Sequence, residues 1–187
     1  MTTPLNVLGI CGSLRQASYN AAALLVAQAL APDVGMRITM ADIADLPLYN
    51  EDLRTAHFPP PVERLRAQIQ AADALLFVTP EYNYSVPGVL KNAIDWASRP
   101  PDQPFAGKPA AIMGASPGVI GTGRAQYHLR QILVCVDALP LNKPEVMIGV
   151  AHERFDADGQ LVHAATREHL GRLLSALASW TQRLGQP

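Results

Sequence analysis

Cysteine is scarce in this chain: of 187 residues only Cys11 and Cys135 are cysteines. They stand far apart, so the paired spacing that zinc, iron–sulfur or dithiol redox sites need is missing. Both sit in apolar surroundings and read as small buried hydrophobes. An excess of charge of either sign is lacking too. Lys and Arg total 15 against 16 Asp and Glu, a formal net charge of −1, which excludes the basic excess typical of nucleic-acid binders. No apolar run approaches the ~20 residues that span a bilayer. The first basic residue is Arg15, so the charged start of a secretory signal is missing, and Thr2 excludes a myristoylation start. The expectation is a cytoplasmic protein with no membrane insertion. The histidines, His57, His128, His152, His163 and His169, show no ligand spacing with one another or with the cysteines, so no metal site is expected.

What remains is apolar and well punctuated. Hydrophobic residues make up 49% of the chain and charged residues 17%, with 16 Pro and 13 Gly. That is too apolar for disorder and has enough breakers for many sharp loops. The length suits a single domain over residues 1–187, with a core that needs no staple.

Short apolar runs alternate with helical periodicity. Strands are expected at Asn6–Cys11, Met36–Met40, Ala74–Val78 and Pro109–Gly114. A fifth falls within Leu139–Ile148, interrupted by Pro140 and Pro144. Helices are expected at Ala21–Leu30, Pro61–Ala72, Val89–Ala97, Gly123–Val136 and Thr166–Leu184, the last carrying Leu170, Leu173, Leu174, Leu177 and Leu184 as a stripe. Ala74–Val78 is apolar throughout, as a strand covered on both faces must be. The alternation implies βαβ units: an α/β fold with a doubly wound five-stranded parallel sheet and helices on both faces. Asp158-Gly159 marks a turn in the polar stretch before the last helix.

In such sheets ligands bind beyond the carboxyl ends of the strands. The loop after the first strand holds Gly12, Ser13, Arg15, Ser18, Tyr19 and Asn20. Short hydroxyl and amide donors, a guanidinium and the positive end of the following helix suit a terminal phosphate. Gly9 and Gly12 do not make the G-x-G-x-x-G of a dinucleotide site, and no Gly-Lys-Ser/Thr follows, so a mononucleotide is favoured. Ser18 or Asn20 would equally serve as a helix cap. The loop after the third strand, Thr79 to Gly88, carries Pro80, Glu81, Tyr82 and Asn83. Its stiff backbone could lay N–H groups against a planar heterocycle, or it could be a rigid turn packed by its own tyrosines. Ser116 opens a third, glycine-rich loop. Trp96 reads as core or interface.

Taken together these residues resemble the NAD(P)H-dependent FMN reductase family of flavodoxin-like proteins, most closely its bacterial quinone and chromate reductase branch. The likeness rests on Gly12-Ser13-Leu14-Arg15 with Ser18 and Asn20, on Leu46-Pro47-Leu48-Tyr49, and on Thr79–Gly88 with Leu90–Trp96. Gln126–Arg130 and Asn142–Glu145 add to it. The resemblance implies that Ser13, Arg15, Ser18, Tyr19 and Asn20 hold the phosphate of FMN. Pro80, Glu81, Tyr82 and Asn83 would line the ribityl chain and ring, with Ser116 at the ring's other edge. NAD(P)H would be the hydride donor, and quinones the acceptors, with chromate, ferric or azo compounds as opportunistic ones. It also implies a homodimer or homotetramer, with Tyr49 reaching a neighbour's flavin and Arg124, Tyr127 and Glu145 in an inter-subunit polar cluster. Helices Val89–Ala97 and Gly123–Val136 are expected to pair between subunits. The hard chemistry would be the cofactor's, and no catalytic side chain is expected. A flavin reductase releasing reduced FMN, a non-enzymatic flavodoxin-type carrier and a phosphate-sensing module share the same fold; carriers of that kind are usually more acidic than this chain.

Overall fold

The computed structural model describes residues 3–54 and 57–185. Strands β1 (Leu5–Cys11), β2 (Met36–Met40), β3 (Ala74–Val78) and β4 (Pro109–Ala115) form a parallel sheet in the order β2-β1-β3-β4. Its fifth position is filled by two short pieces, β5 (Leu139–Pro140) and β6 (Val146–Ile148). β5 pairs with Pro109 and Ala110 at the start of β4, and β6 with Met113 to Ala115 at its end. The expected fifth strand is therefore split. Pro140 has no N–H to give a ladder and is tolerated because this is the sheet's edge.

Helices α1 (Tyr19–Leu30) and α5 (Ala164–Leu184) cover one face; α2 (Pro60–Ala71), α3 (Gly88–Ala97) and α4 (Gly123–Cys135) cover the other. Alternation along each strand decides which core a residue joins. Leu76, Val78, Ala111 and Met113 pack under α1 and α5, while Leu75, Phe77, Ala110 and Ile112 pack under the other three helices. All five residues of β3 are buried, which explains its unbroken apolar run.

Two expectations change. Cys11 is buried but Cys135 is exposed: the buried stripe of α4 runs through Ala125, Leu129 and Leu133, and position 135 falls off it. On α5 the stripe buries Leu170, Leu173, Leu174 and Leu177, whereas Leu184, at the end of the helix, is partly exposed.

The carboxyl ends of β1, β3 and β4 and the starts of α1 and α4 gather at one end of the sheet. Gly12 shows how tightly their loops are nested. A Cβ there would lie 3.2 Å from Leu90 Cδ2 and 3.3 Å from Pro80 Cδ, so the bare backbone lets the first loop sit against the third strand's loop.

Candidate active site

Three loops enclose a cavity of about 230 Å³. Its lining includes Ser13, Arg15, Ser18, Tyr19, Asn20, Pro80, Glu81, Tyr82 and Ser116, together with Ala115 and Pro117. The structure thus brings together every residue that the sequence assigned to FMN except Asn83, which stands outside on the turn beyond Tyr82. Ala115 and Pro117 had no chemical signature to mark them; position alone puts them there.

Ser18 is the N-cap of α1, its Oγ accepting from the backbone N–H of Asn20 (3.2 Å) and Ala21 (3.3 Å). Both readings of this residue are compatible, because a hydroxyl that accepts from a helix start keeps its own proton to donate. The first turn of α1 contains no acidic residue, the Tyr19 N–H has no partner among the described residues, and neither does the Ser13 hydroxyl. Arg15 is exposed; its guanidinium donates to the carbonyl of Ala17 and lies 5.7 Å from the centroid of the Tyr19 ring. Tyr19 in turn packs on Phe155, with ring centroids 5.5 Å apart.

Asn20 acts differently from a phosphate ligand that reaches into the cavity. Its amide is spent on the scaffold: Nδ2 donates to the carbonyl of Ala115 and Oδ1 accepts the Ala115 N–H, both at 2.9 Å. The side chain is buried and pins the start of α1 to the end of β4.

Glu81 is also turned to structural use. Its carboxylate accepts from the backbone N–H of Arg124 (3.0 Å) and Ala125 (3.1 Å) and from the Arg124 guanidinium (2.9 Å). Burial alone would raise its pKa, but these donors outweigh it and hold the carboxyl below its ordinary value. The negative charge therefore faces α4 rather than the cavity.

Beyond it, Tyr82 and Ser85 exchange backbone hydrogen bonds (3.0 and 3.1 Å) around a two-residue turn. Asn83 and Tyr84 both have positive φ, 50° and 69°, the pattern of a type I′ turn. Asn tolerates this conformation; Tyr does so only under constraint, here with the Arg124 guanidinium 4.0 Å from its ring centroid. The N–H groups of Glu81, Asn83 and Tyr84 have no partner among the described residues. On the third loop, Ser116 Oγ donates to the carbonyl of Gly121 (2.6 Å) and folds the loop on itself.

A cleft of free N–H and hydroxyl donors at a helix start, flanked by a guanidinium and with its one carboxylate turned away, fits a phosphate monoester on a flat redox cofactor. The sequence profile of the family described as NADPH-dependent FMN reductase matches residues 5–153. The chain belongs to that family. It is an oxidoreductase that works with FMN and NAD(P)H. An NAD(P)H-dependent FMN reductase of Pseudomonas aeruginosa is 63% identical over 98% of this chain and 99% of its own length. A quinone reductase of Escherichia coli is 48% identical over 98% and 99%. Among solved structures, FerB, a flavoenzyme NAD(P)H:(acceptor) oxidoreductase from Paracoccus denitrificans, superposes with a TM-score of 0.89 at 41% identity, covering 97% of this chain and 100% of that one.

In this reductase the segment Leu46–Tyr49 is firmly anchored to α3. Trp96 Nε1 (2.8 Å) and Asn92 Nδ2 (2.9 Å) both donate to the carbonyl of Pro47, and Asn92 Oδ1 accepts the Tyr49 N–H (2.7 Å). Trp96 itself is wholly buried, so its ring is core and its indole N–H the anchor. Leu48, held between these bonds, is left 84% exposed. Arg124 pairs with Glu81 rather than with Glu145, whose carboxylate pairs with Lys143. Among the described residues no helix is long and apolar enough to cross a membrane.

Proposed function

We propose that this reductase is a single-domain FMN-dependent quinone reductase in which the cavity between the loops after β1, β3 and β4 takes the phosphate end of FMN. The observation that carries this is the convergence in one cleft of the α1 start, Ser13, Ser18 and Arg15, with Glu81, the one carboxylate among its lining residues, engaged by α4. Arg15 would leave the Ala17 carbonyl to meet the phosphate. Asn20 acts as a positioning residue, fixing α1 against β4. The unpartnered N–H groups of Glu81, Asn83 and Tyr84 are placed to meet acceptors along a planar ring's edge, beside Pro80, Tyr82 and Ser116.

When bound, FMN supplies the hydride acceptor and the electrons for reduction. The protein's own part is to grip the phosphate, to hold N–H donors where negative charge develops, and to leave an open face for flat partners. A cavity of about 230 Å³ is below the ~300–1,000 Å³ of a complete small-molecule site. Part of the cofactor would therefore lie outside it, beside the exposed Leu14, Tyr82, Val119 and Ile120 of the three loops. That exposed apolar rim supports a homodimer or homotetramer in which a neighbour covers the ring. Flat quinones suit an open, apolar mouth; chromate, ferric and azo compounds would be further acceptors, reduced without a dedicated subsite. The chain's near-neutral charge fits a cytoplasmic enzyme.

The test is an absorbance spectrum of the purified protein before and after anaerobic NADPH, followed by addition of a quinone. A flavin band that bleaches with NADPH and returns with quinone is expected. A protein that stays colourless after reconstitution with FMN would overturn this reading.

A further inference from the structure

A feature the flavin does not use lies on the other side of the same loop. A cavity of about 450 Å³ opens between β6, the residues that follow it and the first three turns of α5. Its lining brings in Arg154, His163, Thr166, His169 and Arg172 against apolar walls that include Val119 and Met147, and contains no acidic side chain.

The hydrogen bonds orient these groups as donors. His169 Nε2 lies 2.8 Å from the carbonyl of Glu145; a carbonyl only accepts, so Nε2 carries the proton and Nδ1 is left to accept from Arg172 Nη2 at 3.0 Å. Glu168 holds the other arm of the Arg172 guanidinium. That guanidinium is thus fixed by two neighbours on its own helix. His163 is the N-cap of α5, with Nδ1 accepting the Thr166 N–H, which leaves its Nε2 free to donate. The Arg154 guanidinium has no hydrogen-bond or ion-pair partner among the described residues. Two guanidiniums, a histidine N–H and a helix start therefore converge on a space with apolar sides and no acidic lining residue; Glu168 pairs with Arg172 from outside that lining. That is the recognition chemistry of a phosphorylated molecule with a flat apolar part.

Position says which one. Pro117 lines the first cavity and Val119 the second, and Cα atoms two residues apart are separated by at most about 7 Å. The wall between the cavities is one hydrogen-bonded layer. The Ser116 N–H donates to the Ile148 carbonyl (3.0 Å), the Ala151 N–H to the Ser116 carbonyl (3.0 Å) and the Val150 N–H to the Gly118 carbonyl (3.1 Å). A dinucleotide whose nicotinamide sits over the flavin is long enough to cross that layer. The groove that borders the first cavity on its other side, along α1, is lined by Asp156 and Asp158 as well as Arg15 and Arg167; its charges balance, whereas the Arg154–Arg172 cavity has cationic lining and no acidic lining residue.

We propose that the Arg154–Arg172 cavity binds the phosphate-bearing adenosine half of NAD(P)H. The proposal rests on the flavin site above for the place of the nicotinamide, and its test separates the two. Adenosine 2′,5′-bisphosphate is titrated calorimetrically into the FMN-loaded protein and into the apoprotein, with adenosine as the uncharged control. The wild type should bind the bisphosphate and not adenosine. Arg154→Ala and Arg172→Ala should each weaken it about tenfold or more, the range of a lost charge-assisted bond, with Arg154→Lys intermediate. In steady state the loss in kcat/KM for these variants should be larger by that factor with NADPH than with reduced nicotinamide mononucleotide, which lacks the adenosine half. Quenching of FMN fluorescence in each variant reports the flavin site independently. Failure of FMN to bind would defeat the flavin assignment while the bisphosphate titration still decides the cavity. A wild type that binds bisphosphate no better than adenosine, variants that bind it as the wild type does, or equal losses with the two hydride donors would overturn the proposal.

Discussion

Glu81 reaches across from the loop after β3 to Arg124 at the start of α4, meeting its guanidinium at 2.9 Å and its backbone N–H at 3.0 Å. One carboxylate thereby serves as helix cap and loop tie together, and its charge complements the positive end of α4. Because the loop it holds carries Pro80 and Tyr82, the shape of the cleft depends on an ion pair that points away from it.

Glu81→Gln should destabilise the protein by about 1–3 kcal/mol, the scale of hydrogen bonds to a charged group. The pH dependence has a definite sign. The folded-state pKa of Glu81 is lowered from 4.5, so its contribution is complete above that value and is lost as pH falls through the lower folded one. Denaturant melts of wild type and variant should therefore differ at neutral pH and converge in acid. A difference that persists below the folded pKa would contradict the assignment.

Arg15→Ala should weaken FMN binding about 10- to 150-fold, as expected for a charge-assisted phosphate contact. Its folding stability should hardly change, since the only partner lost is the Ala17 carbonyl on an exposed loop. Fluorescence titration of FMN gives the dissociation constant; an unaltered value would remove Arg15 from the phosphate site.

Asn20→Ala should act in the opposite proportion. It leaves a buried Ala115 N–H and carbonyl unpaired, and each such group costs roughly 1–3 kcal/mol. A fall in midpoint in a chemical melt should accompany the loss of FMN affinity. A variant with wild-type stability would show that the bond to Ala115 does not hold α1 in place.

Gly114→Ala should be among the most damaging single changes at this end of the sheet. A Cβ there would stand 2.1 Å from the Thr79 carbonyl oxygen and 2.2 Å from Thr122 Oγ1, and both residues are fully buried. Overpacking of this kind costs about 1–3 kcal/mol or more. Circular-dichroism melts should show it, and a melting temperature equal to wild type would mean the strands have room that the structure denies them.

The fold was legible where local pattern and burial agree. The unbroken apolar run of β3 declared a strand covered on both faces, and the glycine-, serine- and proline-rich loops declared the end of the sheet where ligands bind. The edge was less legible: Pro140 and Pro144 signalled an interruption, but that two fragments would pair with opposite ends of β4 depends on contacts remote in sequence. Cys135 was misread for a related reason. Apolar neighbours in sequence do not say which side of a helix faces the sheet.

At the site, the sequence by itself determined which residue types gather: the donors of the first loop and the stiff segment after β3 follow from local chemistry, and eight of them line one cleft with Ser116. Only the tertiary structure decided which way the polar side chains turn. Asn20 faces Ala115 and Glu81 faces α4 because a buried amide or carboxylate must satisfy its hydrogen bonds with whatever backbone the fold brings near. Those partners lie 95 and 43 positions away along the chain. No local spacing encodes such encounters. The same holds for the cationic cavity behind the loop, since Arg154 and Arg172 meet Val119 only once β6 and α5 have packed.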